Sequence, residues 1–150
     1  MKFLFIALFF FQLHPVKLSG QNNTDAIIGK WINSGDKNLE VEVFKTGREY
    51  KGKVIWFDDT DDKLRPMKER RDFNNPDKIL RERKILGLEV LHGLHYDADG
   101  EEWRNGTIYD PSSGKTWNAK VWIASDGSLK VRGYWHISLL GQTMSFYKLL

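Results

Sequence analysis

The chain has no cysteine and only four prolines in 150 residues. Without cysteine there is no disulfide, no thiolate ligand for a zinc site and no lipid anchor on a thiol, so the fold must be held by burial. Long apolar runs are also scarce. The one clear run, Phe3 to Phe11, is about half of the roughly 20 residues that a membrane-spanning helix requires. Excess charge of one sign is missing too. Residues 1–20 carry Lys2 and Lys17 and no acid, so the formal charge of +3 falls to +1 without them. A nearly neutral domain has no electrostatic footprint for nucleic acid, whatever the sequence pI of 9.0 suggests.

The apolar run follows Lys2 and breaks into Gln12, Leu13, His14 and Pro15, the shape of an export signal. Ser19 and Gly20 are small residues that offer cleavage before Gln21. Residues 1–20 are therefore expected to be a signal peptide and 21–150 a single exported domain, with no membrane span left after cleavage. The exported part has 15 aromatic residues with which to build a core.

From Ala26 onward the apolar pattern has period two. Leu39, Val41 and Val43 alternate with Glu40 and Glu42, and Tyr50, Gly52, Val54 and Trp56 alternate with Lys51 and Lys53. The same holds for Trp117, Ala119, Val121 and Ile123, and for Leu129, Val131 and Gly133 against Lys130 and Arg132. Further strands are expected at 26–32, 85–91, 102–109 and 142–149. Ser34-Gly35, Thr46-Gly47, Asp99-Gly100, Ser113-Gly114 and Asp126-Gly127 fall between the runs and read as hairpin turns. About eight strands in a meander must either pair into a sandwich or close into a barrel to protect their edges, and the expectation favoured is the barrel, all-β, antiparallel and up-and-down.

One stretch breaks the rhythm. Between Trp56 and Ile85 the chain is dense in charge, from Asp58-Asp59-Thr60-Asp61-Asp62 through Arg70, Arg71 and Asp72. A connection of that length is usually functional or unstructured. Asn75-Pro76 fits an N-cap followed by proline at the first helical position, predicting a short helix over Asp77 to Arg83.

Several segments together resemble the bacterial exported family catalogued as domain of unknown function 2147. They are Gly29-Lys30-Trp31, Tyr50 to Trp56, Asp72-Phe73-Asn74-Asn75-Pro76-Asp77, Leu80-Arg81, Gly106 to Trp117 and Leu129 to Tyr134. The resemblance implies a periplasmic or secreted, lipocalin-like barrel without a settled activity, cofactor or substrate. Members often carry a cysteine pair near the second and third strands, which this chain lacks. Its insertion from Asp58 to Arg71 is also longer and more charged, and near the end of the chain, where members tend to have an aromatic followed by a polar and a basic residue, it has Phe146-Tyr147-Lys148.

Catalytic chemistry is poorly supplied. The exported part has His92, His95 and His136, with neither a nucleophile elbow nor a zinc-type histidine pair with glutamate. His92 and His95, three apart in a strand or bend, are expected on opposite faces or diverging. The Asp58–Asp62 cluster lacks the glycine and distal glutamate of a calcium loop, and Asp97-Ala98-Asp99-Gly100 reads as a turn. No catalytic residue, metal ligand or cofactor is assigned.

The candidate ligand-binding residues are Asp72, Asn74 and Arg81 on the long connection, Tyr109 and Asp110 at the hairpin before Pro111, and the aromatics Trp117 and Tyr134. Each has a structural alternative. Arg81 can pin the helix to a carbonyl or to Asp72, Asp110 can bond its own turn, and the aromatics can be plain core. The leading expectation is a non-enzymatic module that binds a small molecule, lipid fragment or envelope component. The alternatives are a hydrolase with Asp72 or Asp110 as general base and an envelope protein-interaction factor working through the charged loop. Oligomeric state is not legible.

Overall fold

The computed structural model describes residues 24–150. The expected signal segment and its cleavage point before Gln21 lie outside the described residues. Eight antiparallel strands form a closed barrel: β1 (Gly29–Asn33), β2 (Leu39–Thr46), β3 (Glu49–Phe57), β4 (Glu89–Asp97), β5 (Glu102–Asp110), β6 (Lys115–Ile123), β7 (Leu129–Tyr134) and β8 (Gly141–Lys148). Each strand pairs with its sequence neighbour, and β1 closes on β8 through Trp31↔Lys148, Ile32↔Tyr147 and Asn33↔Phe146. The strand count and meander order agree with the period-two reading.

The connectors define two ends. The turn at 24–28 and the connectors 47–48, 98–101 and 124–128 lie at one end, the base; 34–38, 58–88, 111–114 and 135–140 lie at the other, the mouth. The base is filled. Ile27, Trp31, Tyr50, Leu94 and Trp103 are all buried, and Trp103 packs against the rings of Tyr50 at 6.1 Å and Tyr96 at 5.0 Å. Two indoles hold the first turn over this end: Trp31 Nε1 donates to the Ile27 carbonyl at 2.9 Å, and Trp103 Nε1 donates to the Thr24 carbonyl at 3.0 Å. The Tyr50 hydroxyl donates to Asp25 at 2.6 Å and Lys45 binds the same oxygen at 2.8 Å. Burying an indole without a partner for its N–H would forfeit much of the gain, and these bonds remove that cost.

Toward the mouth the inward face changes character. Pairing places Ile108 opposite Trp117 and Val131 opposite Met144, on the inner side with the core valines. Ile108 and Trp117 are only half-buried. Met144, inward by register, is 43% exposed.

The structure corrects several local expectations. The first strand begins at Gly29 rather than Ala26, because residues 24–27 form the turn over the base, closed by the Ile28 N–H bonded to the Asp25 carbonyl. The fourth begins at Glu89 and runs to Asp97, later than the expected 85–91. Bulges shift the faces. An irregularity between β2 and β3 pairs Trp56 with Glu40, so Trp56 points outward, off the face of Tyr50, Gly52 and Val54. On β4, Leu91 and Leu94 are both core residues, so His92 and His95 both fall on the outer side. The extra residue is accommodated at Gly93 and, across the ladder, at Asn105, with φ of +64° and +65°. The helix expected over Asp77 to Arg83 is a short 3-10 helix, Lys78–Glu82, and its cap is Asp77, which accepts from the Ile79 N–H at 2.9 Å. Asn75 is occupied elsewhere.

The acidic cluster is tied down chiefly by Arg70. Arg70 donates to both carboxylate oxygens of Asp61 and to the carbonyls of Asp59 and Asp62. Arg65 binds Asp62, and Asp59 accepts the Met67 N–H. Among the described residues no group of three or more histidine, cysteine, aspartate or glutamate side chains is arranged to hold a metal ion.

The base core sets the stability. Leu94, fully buried beside Tyr50, should lose about 3 kcal/mol on replacement by alanine. Urea unfolding of Leu94→Ala reads this as a lowered midpoint with an unchanged slope; an unaltered midpoint would place the core elsewhere.

Candidate functional site

The long connection returns to the wall through one buried carboxylate. Asp72 is completely buried, and both of its oxygens are engaged. Oδ1 accepts the Tyr109 hydroxyl at 2.5 Å; Oδ2 accepts Asn75 Nδ2 and Arg83 Nε, each at 2.8 Å. Asn75 Nδ2 also reaches the Tyr109 oxygen at 3.0 Å, and the Arg83 guanidinium lies 5.2 Å from the centre of the Tyr109 ring. A buried carboxylate is tolerated only with this degree of partnering. Burial pushes the Tyr109 phenol above its ordinary range, and the Asp72 carboxylate beside it adds to the rise.

A second tie holds the same segment. Asn74 Nδ2 donates to the Ser112 carbonyl at 2.8 Å and more weakly to Pro111 at 3.3 Å. Gly114, at φ +70°, lies so close beneath that a Cβ there would overlap the Asn74 carbonyl. Glycine is needed here both for its conformation and for the contact.

Of the residues singled out in the sequence, Asp72, Asn74 and Tyr109 are brought together. Arg81 is not among them. Its Nε donates to the Asn75 carbonyl at 2.7 Å, so it braces the loop backbone, and Arg83 takes the place beside Asp72. Asp110 turns to its own hairpin, accepting from the hydroxyls of Ser112 at 2.6 Å and Ser113 at 2.7 Å. Burial raises the Asp110 carboxyl, but those bonds outweigh it and leave it below the usual carboxylate range.

Register decides which of these residues line the interior. Ile108 packs inward with the core, so its neighbour Tyr109 points out, and the Asp72 cluster clasps the outside of the wall. Trp117, opposite Ile108, faces in. Tyr134 pairs with Asn118 on the outer side, so Trp117 and Tyr134 do not share a face. Outside β5 and β6 an open groove of about 210 Å³ is lined by Thr107, Thr116, Trp117, Asn118, Trp135 and His136.

Sequence reasoning missed Arg83 and misassigned Asn75. Arginines at 81 and 83 are indistinguishable by composition; only the turn of the 3-10 helix decides which one faces Asp72.

An eight-stranded up-and-down antiparallel barrel with a filled base is a lipocalin-like fold. This fold is similar to that of protein HP1028 from the human pathogen Helicobacter pylori, which is described as belonging to the lipocalin family. The TM-score is 0.68 at 23% identity, over 83% of each chain. Residues 29–148 match the family model "Uncharacterized protein conserved in bacteria (DUF2147)", and the chain belongs to that family. No curated protein matches.

The clasp should be measurable. Tyr109→Phe removes one hydrogen bond to a charged acceptor and should lower stability by about 2 kcal/mol. Because the folded phenol is raised above its ordinary value of 10.0, the folded state holds that proton more tightly than the unfolded chain. This contribution is complete below the ordinary value and is lost as pH rises through the range above it. Denaturant titrations across the alkaline range should show a decline that is shallower in Tyr109→Phe; parallel curves would remove Tyr109 from the linkage.

Proposed function

We propose that this chain is an exported, non-enzymatic binding module that holds a small apolar or amphipathic molecule, such as a lipid fragment or envelope component, in the mouth half of its barrel. One observation carries the reading: Met144 faces inward by register and yet is 43% exposed, whereas the inward residues at the base are sealed. A barrel of this size is either filled or holds one small ligand, and here the filling stops part-way. Ile108 and Trp117 supply apolar wall, and Gln142, inward beside Gly133, supplies a polar group near the opening. Such a mixture suits an acyl or aromatic body with a polar end.

The hydrolase alternative has less support. Asp72 has both oxygens occupied and lies outside the wall, and Asp110 is a turn residue with a lowered pKa; a general base needs an accessible oxygen and a raised one. An envelope interaction factor working through Asp58–Arg71 is also less favoured, since the carboxylates at 59, 61 and 62 are turned onto Arg65, Arg70 and the loop backbone.

Native mass spectrometry of purified protein, followed by lauric acid titration, tests the binding reading. Met144→Asp puts a carboxylate where the apolar body would lie. It should weaken lauric acid by about tenfold or more with little change in unfolding midpoint, because the position is already wet. Equal affinity in both proteins would move the ligand out of the barrel.

Export makes a separate forecast. The mature protein recovered outside the cytoplasm should begin at Gln21, read as its intact mass; a chain that retains Met1 there would end the signal-peptide reading.

A further inference from the structure

We infer that the mouth rim is a docking surface for an anionic lipid bilayer, which the barrel meets mouth-first. Exposed large apolar side chains are concentrated at this end. The β7–β8 connector presents Trp135, Ile137, Leu139 and Leu140, with Leu139 82% exposed and Trp135 62%. The long connection adds Phe73 and Ile79, the latter 84% exposed. Scattered apolar residues on a surface need no explanation, but their collection on two connectors at the same end of the barrel does.

The β7–β8 connector is held in place. Arg132, on the outer side of β7, donates from Nε to the Ser138 carbonyl at 2.5 Å and from Nη2 to the Leu139 carbonyl at 3.0 Å, while Nη1 binds Thr143 at 2.8 Å. The guanidinium thus satisfies carbonyls that would otherwise need water, and the apolar side chains project from a braced turn. Residues 135–140 include no acid, lysine or arginine. Such a tip can enter the headgroup region without burying a formal charge, and tryptophan is favoured at that depth.

Charge selects the occupant. The mouth connectors carry acids as well, from Asp36 to Glu82, and basic residues outnumber them only slightly; of the basic ones, Lys78, Lys84 and Lys115 are exposed and have no acidic partner among the ion pairs of the described residues. At the base the connectors carry Asp25, Asp99, Glu101 and Asp126 against Arg48. An anionic bilayer attracts the first end and repels the second, which orients the barrel before any side chain inserts. Another protein or a second copy would have to supply both an apolar face and matching acids; on this chain the mouth acids at 59, 61 and 62 are turned onto Arg65, Arg70 and the loop backbone, and those on the connectors at 24–28, 98–101 and 124–128 lie at an end with little exposed apolar surface.

The absence of cysteine makes the test direct, because one introduced thiol carries one label. An environment-sensitive fluorophore is placed on Leu139→Cys, on Ile79→Cys or, as a base control, on Glu101→Cys in the exported chain that begins at Gln21. Each protein is mixed with phosphatidylglycerol vesicles or with neutral phosphatidylcholine vesicles. Labels at 139 and 79 should shift to the blue with anionic vesicles and the label at 101 should not. Replacing Lys78 or Lys84 by glutamine should weaken the response about fivefold each. If vesicle-bound protein shows no response at 139, or an equal one at 101, the mouth is not the docking face and the inference is overturned. A shift at 139 that grows with protein concentration in the absence of vesicles would mean self-association and overturn the inference. These readouts report which end meets lipid, so they stand or fall apart from the lauric acid titration, which reports the interior.

Discussion

Everything in this fold depends on closure between β1 and β8. The pairing is short, three residue pairs from Trp31↔Lys148 to Asn33↔Phe146, and in a chain without cysteine no disulfide reinforces it. What secures it is that both strands bring large side chains to the same interior: Trp31 and Phe146 are buried together, and the Lys148 ammonium lies 5.4 Å from the centre of the Trp31 ring. Gly29 allows the lysine stem to pass, since a Cβ there would sit 3.2 Å from Lys148 Cε. Closure leaves no free edge, so exposed backbone donors are confined to the connectors.

Closure also forces an asymmetry. The first turn, tied down by the indoles of Trp31 and Trp103, covers the base, whereas at the mouth the two longest connectors are fastened to the outside of the wall. The clasp at Asp72 holds one and Arg132 holds the other. In both cases a charged group satisfies its partners outside the barrel, which leaves the inward face at that end to apolar and neutral polar side chains. The same aromatic residue type serves two purposes: Trp31 and Trp103 have their N–H groups bonded and their rings sealed, while Trp135 stands at the rim.

Much of this was legible from alternation alone. Period-two runs with glycine turns give the strand number, their order and most inward residues, because each side chain in a regular strand follows from its predecessor. Legibility stopped at the bulges. An extra residue near Ile55 turned Trp56 outward, and one near Gly93 put His92 and His95 on one side. A bulge changes the parity of everything beyond it and leaves almost no mark in composition; Gly93 and Asn105 were the available signs. For the candidate site, the sequence put forward Asp72, Asn74 and Arg81 with Tyr109 and Asp110, of which the structure brings Asp72, Asn74 and Tyr109 together and turns Arg81 and Asp110 to backbone and hairpin. It could not tell that Tyr109 faces out, nor that Arg83 rather than Arg81 meets the carboxylate, since both depend on rotation within a few residues of irregular backbone.

The clasp bears on how the mouth can work. Asp72 has no oxygen to spare, so moving the long connection away from β5 would strand a buried carboxylate, an arginine and a phenol together. Asn74 resting on Gly114 ties the same segment to the neighbouring hairpin through backbone. A lid that opens and closes on each ligand would have to break both ties at once. Under the binding reading proposed above, that cost favours a preformed mouth over a moving lid, and would leave selectivity to the wall between Trp117 and Met144 and to the rim that surrounds it.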